Sequence, residues 1–255
     1  MAEELAEGRV ALVTGGSRGI GAATSRLLAA RGHRVAVNYK SNAADADALV
    51  ESIRAAGGQA ESVQGDVCDP DDVARLVGEV EEKLGGVDVL VHNALIPYVG
   101  KSFEEISWDE LGAKNNLELQ AAFHLTKAVT PGMREREFGR IVFVSTALAR
   151  KPRQRMIALG TAKAGLSGFA RFVAQEYGPY GITVNVVAPG PVDTTEIVTI
   201  MGPFGEVRER IINETPLRRL ALPDDVARVI GFFVGEDGSY VTGSFMTVNG
   251  GYTMD

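Results

Sequence analysis

Three glycines in the run Thr14-Gly15-Gly16-Ser17-Arg18-Gly19-Ile20-Gly21 are spaced to hold an anion. The run follows a short β-branched segment and passes straight into the apolar stretch 22–30, so it reads as strand, tight turn and helix start. Glycine at 15, 19 and 21 permits the turn, a close approach of ligand to backbone, and close packing of helix on strand. A diphosphate there would meet the unpaired N–H groups and positive dipole end of the helix. At the end of the second expected strand, Val37-Asn38-Tyr39-Lys40-Ser41 lacks the acidic residue that binds both ribose hydroxyls of NAD. Lys40 and Ser41, with Arg18 in the turn, suit a 2′-phosphate instead, which makes NADP(H) the expected cofactor. His33, His92 and His124 are scattered without ligand spacing and Cys68 is the one cysteine, so neither a metal site nor an intramolecular disulfide is expected.

Positioning these residues requires alternating strands and helices. β-Branched runs at 9–14, 34–39, 60–64, 87–93, 140–145, 182–187 and 246–248 are separated by helix-length segments. That order predicts repeated βαβ units: a Rossmann-type, doubly wound α/β fold with a parallel sheet of about seven strands and helices on both faces. Pro70 followed by acids, the Ser107-Trp108-Asp109-Glu110 capping box and Pro223-Asp224-Asp225 each mark a helix start. No repeat or Ser/Pro-rich linker divides the chain, so 1–255 is expected to form a single domain, with the irregular stretch 194–222 as a lid over the site.

The 255 residues are 45% hydrophobic and 23% charged, enough for a sizeable core. The formal charge of -7 disfavours a nucleic-acid partner. Residues 1–8 are acidic where a secretory signal is basic and then apolar, and no uninterrupted apolar run reaches the roughly 18 to 20 residues that span a bilayer. A cytoplasmic protein with no membrane partner is the expectation.

The Thr-Gly-x-x-x-Gly-x-Gly turn resembles that of the short-chain dehydrogenase/reductase family, in particular its 3-oxoacyl-carrier-protein reductases. Similar segments continue along the chain: Gly65-Asp66-Val67, His92-Asn93-Ala94, Asn116-Leu117, Gly139-Arg140-Ile141-Val142, Lys163-Ala164-Gly165-Leu166, Thr183-Val184-Asn185-Val186-Val187-Ala188-Pro189-Gly190, Pro216-Leu217-Arg218-Arg219 and Val248-Asn249-Gly250-Gly251. The resemblance implies that Gly15, Ser17, Arg18, Gly19 and Ile20 hold the diphosphate and that Asp66 and Val67 flank the adenine. It further implies that Asn93 meets a ribose, that Val192 reaches the nicotinamide carboxamide, and that Pro189 and Gly190 shape that wall.

In this family a Tyr gives the proton, a Lys four residues later assists it and binds the nicotinamide ribose, and a Ser thirteen residues before the Tyr polarises the carbonyl. An Asn on an earlier helix holds a relay water. Counted back from Lys163, the Tyr position holds Leu159 and the Ser position holds Thr146, while the relay Asn is expected at Asn116. Leu95 replaces a family-like Gly after Asn93-Ala94. A missing general acid costs ~10² to 10⁴ in rate. Lys163, Tyr98 or a group on the substrate are the conceivable substitutes. The basic residues of 149–155 stand near the expected site mouth, where they would dock an acidic carrier, a phosphopantetheine arm or a subunit.

These readings point first to an NADPH-dependent reductase of a ketone or carrier-bound 3-oxo thioester with an atypical proton donor. The alternatives are a catalytically impaired partner of an active homologue, or a non-redox dehydratase, cyclase or isomerase. The resemblance implies a tetramer, homomeric or mixed, paired through helices at 107–131 and 157–178.

Overall fold

A computed structural model describes residues 8–194 and 205–254. Its centre is a sheet of seven strands: β1 Val10–Thr14, β2 Arg34–Tyr39, β3 Gln59–Gln64, β4 Val87–His92, β5 Gly139–Val144, β6 Ile182–Pro189 and β7 Phe245–Val248. The order across the sheet is β3-β2-β1-β4-β5-β6-β7 and every pairing is parallel. Among the described residues seven α-helices accompany the strands: α1 Gly19–Ala30, α2 Ala43–Ala55, α3 Pro70–Leu84, α4 Trp108–Glu135, α5 Ile157–Tyr177, α6 Gly205–Glu214 and α7 Pro223–Val234.

The central strands β1, β4, β5 and β6 are buried on both faces because helices cover both, while the edge strands β3 and β7 are partly exposed. Val10 and Leu12 of β1 point into one core with α3, α4 and α5, while Ala11 and Val13 point into another with α1, α2 and α7. The same period of two carries Ile141 and Phe143 to the first core and Val142 and Val144 to the second. Burial of each large side chain, such as Leu12 or Phe143, stabilises by roughly 1.5 to 3 kcal/mol. α1 and α7 lie against each other, tied by the Arg31 guanidinium donating to the Gly231 carbonyl at 2.7 Å.

Helix starts follow their local chemistry. Asp69 accepts from the Asp71 and Asp72 N–H groups ahead of Pro70, and Ser107 and Glu110 form the reciprocal capping box. α4 continues to Glu135, past Pro131, because Met133 is drawn fully into the core. Within the stretch expected to be a lid, residues 195–204 lie outside the described residues. The rest contains α6 and a return segment fixed by the Val192–Ala221 bridge and by Asp193 N–H donating to the Ala221 carbonyl at 2.8 Å.

β1 lies between β2 and β4, so the crossovers leaving its two sides diverge. The crevice this opens at the carboxyl ends of β1 and β4 is where ligands bind in open α/β sheets.

Candidate active site

The glycine turn is held from two sides. Asn38, buried at the end of β2, accepts the Gly15 N–H at 3.3 Å and donates to the Val63 and Gly65 carbonyls at 3.3 and 3.0 Å. From β4, Asn93 donates to the Thr14 and Gly15 carbonyls at 3.1 and 3.0 Å, while the Thr14 hydroxyl oxygen accepts the Asn93 and Ala94 N–H groups. Gly15 has φ +58°, a left-handed value, and a Cβ there would stand 2.9 Å from Ala94 Cα. A Cβ on Gly21 would collide with the Gly15 carbonyl and lie 2.7 Å from Asn93 Nδ2. No side chain caps the first turn of α1, which leaves its N–H groups directed at the turn. This cradle fits a dinucleotide diphosphate.

The turn opens into a cleft of ≈ 480 Å³. Gly15, Ser17, Arg18, Gly19, Ile20, Lys40 and Ser41 line one end, followed by Asp66, Val67 and Asn93, then by Thr146, Lys163, Pro189, Gly190 and Val192. Every site residue expected from the sequence except Asn116 is therefore brought to one surface. Leu95, Tyr98 and Leu159 line the same cleft, as does Cys68.

At the end of the cleft nearest β2 and β3, Lys40 Nζ is 2.6 Å from Asp66 Oδ2. The end of β2 carries no acid, yet the loop after β3 delivers one to Lys40 from the side, and this was not legible in the local sequence. Burial works against the Asp66 carboxylate, but the Lys40 hydrogen bond and the Cys68 N–H hold its pKa below the ordinary value. The same hydrogen bond raises Lys40, and burial beside Asp66 raises the Cys68 thiol. Arg18 lies 3.9 Å from Asp45.

At the other end, Thr146 accepts the Leu148 N–H at 3.3 Å, leaving its own O–H to donate. Leu159 is buried one turn before Lys163 on α5. Lys163 donates to the Val144 carbonyl at 2.7 Å, and its Nζ is 2.7 Å from Glu118 Oε1. The other carboxylate oxygen of Glu118 accepts from Lys114 at 2.6 Å, and Lys114 also donates to the Ile96 carbonyl at 2.8 Å. Burial opposes ionisation of Glu118, but Lys163 and Lys114 together outweigh it and hold the carboxyl well below the usual range. Burial lowers Lys114, offset in part by Glu118. His92, at the end of β4, is pushed down to about 4 by burial and then by the Lys163 charge.

Asn116 is exposed, and the expectation that it faces Lys163 is corrected. The inward stripe of α4 is Lys114, Glu118, Ala121, Ala122 and Leu125; at about 100° per residue, position 116 turns away from it. Asn115 faces α5 and donates to Thr161 Oγ1 at 3.2 Å. One signal for Glu118 lay in the sequence: Lys114 and Glu118 are four apart and in register with the apolar stripe Ala121, Ala122 and Leu125, although packing alone decides that this side faces inward. Three arginines of the basic segment are also committed within the chain. Arg150 stacks on Phe245, Arg153 stacks on Tyr252 and pairs with Glu214 at 3.7 Å, and Arg155 pairs with Glu105 at 3.0 Å. All three stay exposed beside the exposed Lys151, so the basic segment remains a charged surface with internal partners.

Residues 15–253 match a family model described as enoyl-(acyl carrier protein) reductase. A Serratia marcescens short-chain dehydrogenase/reductase, solved as a double mutant, superposes with TM-score 0.88 at 30% identity, covering 96% of this chain and 98% of that one. The chain belongs to the short-chain dehydrogenase/reductase family. Among its relatives are an acetoacetyl-CoA reductase of Shinella zoogloeoides, 40% identical over 95% of this chain and 98% of the relative, and one of Rhizobium meliloti, 39% identical over 95% and 98%. A Staphylococcus aureus 3-oxoacyl-[acyl-carrier-protein] reductase is 34% identical over 96% and 98%. Kinship places this short-chain dehydrogenase/reductase among oxidoreductases. No helix among the described residues is long and apolar enough to cross a membrane, and none of their His, Cys, Asp and Glu side chains form a group of three that would hold a metal ion.

Proposed function

We propose that this chain is an NADPH-dependent reductase of a ketone or a CoA- or carrier-bound 3-oxo thioester, with the Lys163 ammonium delivering the proton that a phenol gives in its family. The carrying observation is that one cleft joins the diphosphate cradle to Thr146 and Lys163 with Leu159 between them. Kinship with acetoacetyl-CoA and 3-oxoacyl-carrier-protein reductases supports the substrate class. The cofactor choice is supported by Lys40, Ser41 and Arg18 and by the absence of an acid at the end of β2.

When bound, a reduced nicotinamide supplies hydride. Thr146 donates its O–H to the carbonyl oxygen and fixes which face is presented. Lys163, whose Val144 hydrogen bond uses one of three N–H donors, turns a remaining donor to the developing alkoxide. Leu159 and Leu95 exclude water and favour an apolar acyl chain. Assembly through α4 and α5 is supported by exposed Trp108 and Phe172, each 80% accessible, and by Phe123.

The test is a fluorescence titration with NADPH and NADH, followed by NADPH consumption with acetoacetyl-CoA and a panel of ketones. Micromolar NADPH binding with ketone-dependent turnover is expected. Absence of binding to either nucleotide refutes the reading; binding without turnover on any ketone replaces it with an impaired partner subunit.

A further inference from the structure

Beneath the cleft lies a buried ionic trio that the reaction as drawn does not use in full. The side chains of Lys114 and Glu118 are 1% and 0% exposed, and that of Lys163 is 7% exposed. Charges taken this far out of water cost several kcal/mol each unless matched, and a structural pair needs only one cation for one anion. Here two cations share one carboxylate. The surroundings do not correct the imbalance. His92 from β4, with its pKa near 4, is neutral at physiological pH, and burial pushes up both Cys68, after β3, and Tyr98, after β4, keeping them protonated. With both lysines protonated, the trio carries a net charge of one positive unit beneath the cleft.

We propose that Glu118 and Lys114 are the internal proton store of Lys163. Glu118 fixes the ammonium in place and, after each turnover, passes it a replacement proton from Lys114. This rests on the reductase reading above. When Lys163 protonates the alkoxide, a new O–H bond forms and the N–H pair stays on nitrogen as the amine lone pair. The remaining Glu118–Lys114 pair is then neutral, so the transfer removes the surplus buried charge. Lys114 Nζ next gives a proton to Glu118 Oε2, keeping the N–H electron pair as its lone pair, and the neutral carboxyl so formed turns that O–H to the Lys163 amine and hands over the same proton. Lys114, made more acidic than an exposed lysine by its burial, regains its proton from solvent before the next turnover. Glu118 and Lys114 touch neither substrate nor cofactor and are positioning residues.

The chain has seven lysines, so a full-length protein labelled at the lysine ε-carbon gives few enough signals to assign Lys163 by its loss in Lys163→Arg. In the cofactor-free protein, Glu118→Gln should move the Lys163 titration midpoint down by roughly 1 pH unit or more, and Lys114→Met, which removes the competing cation, should move it up. The alkaline limb of kcat/KM should move in the same two directions, with kcat reduced in both variants and the NADPH Kd within about threefold of the parent. Glu118→Asp keeps the charge, should restore the parent midpoint, and serves if Glu118→Gln does not fold. Midpoints that do not separate in opposite directions, or alkaline limbs that superimpose on the parent's, overturn the proposal. Failure of the parent itself to turn over any ketone instead refutes the reductase reading, and the NMR midpoints then report the coupling separately.

Discussion

Acidification should destabilise this protein before most of its carboxylates protonate. His33 is buried near Arg31 and Arg9, and His92 is buried beneath the cleft; burial first, and neighbouring cations second, push both down to about 4 from 6.5. The unfolded chain binds these two protons at pH 6.5 while the folded chain refuses them until about 4, so stability falls as pH drops through that window and is fully present above it. Each histidine contributes a loss of ~2.5 kcal/mol between neutrality and pH 4.5, from 1.36 kcal/mol per pH unit, or ~5 kcal/mol together. That is a large share of the roughly 5 to 15 kcal/mol by which domains are stable. Glu118 and Asp66 have lowered pKa values, so their contributions are lost only below about 4.5, outside this window. Urea denaturation at half-unit steps from pH 7.5 to 4.5 should show a steep decline, and His33→Gln should remove about half of the slope. A flat profile, or a His33→Gln slope equal to the parent's, would falsify the assignment of buried neutral imidazoles.

Three further outcomes are expected. Leu159→Tyr, placing a phenol one turn before Lys163, should raise kcat on any accepted ketone by roughly 10²-fold, read by NADPH consumption; an unchanged kcat argues against proton transfer as the limiting deficit. Gly21→Ala should abolish NADPH binding in the fluorescence titration, because its Cβ meets the Gly15 carbonyl and sits 2.7 Å from Asn93 Nδ2, so a variant that binds normally would contradict the cradle geometry. Lys40→Glu should reverse the cofactor preference, weakening NADPH by at least tenfold relative to NADH; equal Kd ratios in parent and variant would remove Lys40 from 2′-phosphate recognition.

The sheet was legible because its central strands are buried on both faces and so read as continuous β-branched runs bounded by turns. The diphosphate turn was legible because only glycine tolerates the backbone that Gly15 adopts and the close approach that Gly21 makes. What the sequence hid was facing and reach. Asn116 and Glu118 are two residues apart, but on a helix that separation points them to opposite sides, and only packing against α5 decides which side is in. Asp66 reaches Lys40 across the ends of two strands, a contact absent from any local window. The internal partners of the basic segment's arginines, Glu105, Glu214, Phe245 and Tyr252, were hidden because they lie 50 to 99 positions away in the sequence.

The clasp between α1 and α7 sets a timetable for the nascent chain. Arg31 and Gly231 are 200 residues apart, and the core beneath α1 and α2 receives Val226, Ile230 and Phe233 only from the last long helix. At roughly 5 to 20 residues per second, a ribosome takes about 10 to 40 s to cover that distance. For that interval the apolar flank of the cradle has no lid of its own. The glycine cradle is thus made early and its flank covered only 200 residues later, and a chain truncated before α7 presents a sticky, half-built Rossmann layer to chaperones and proteases.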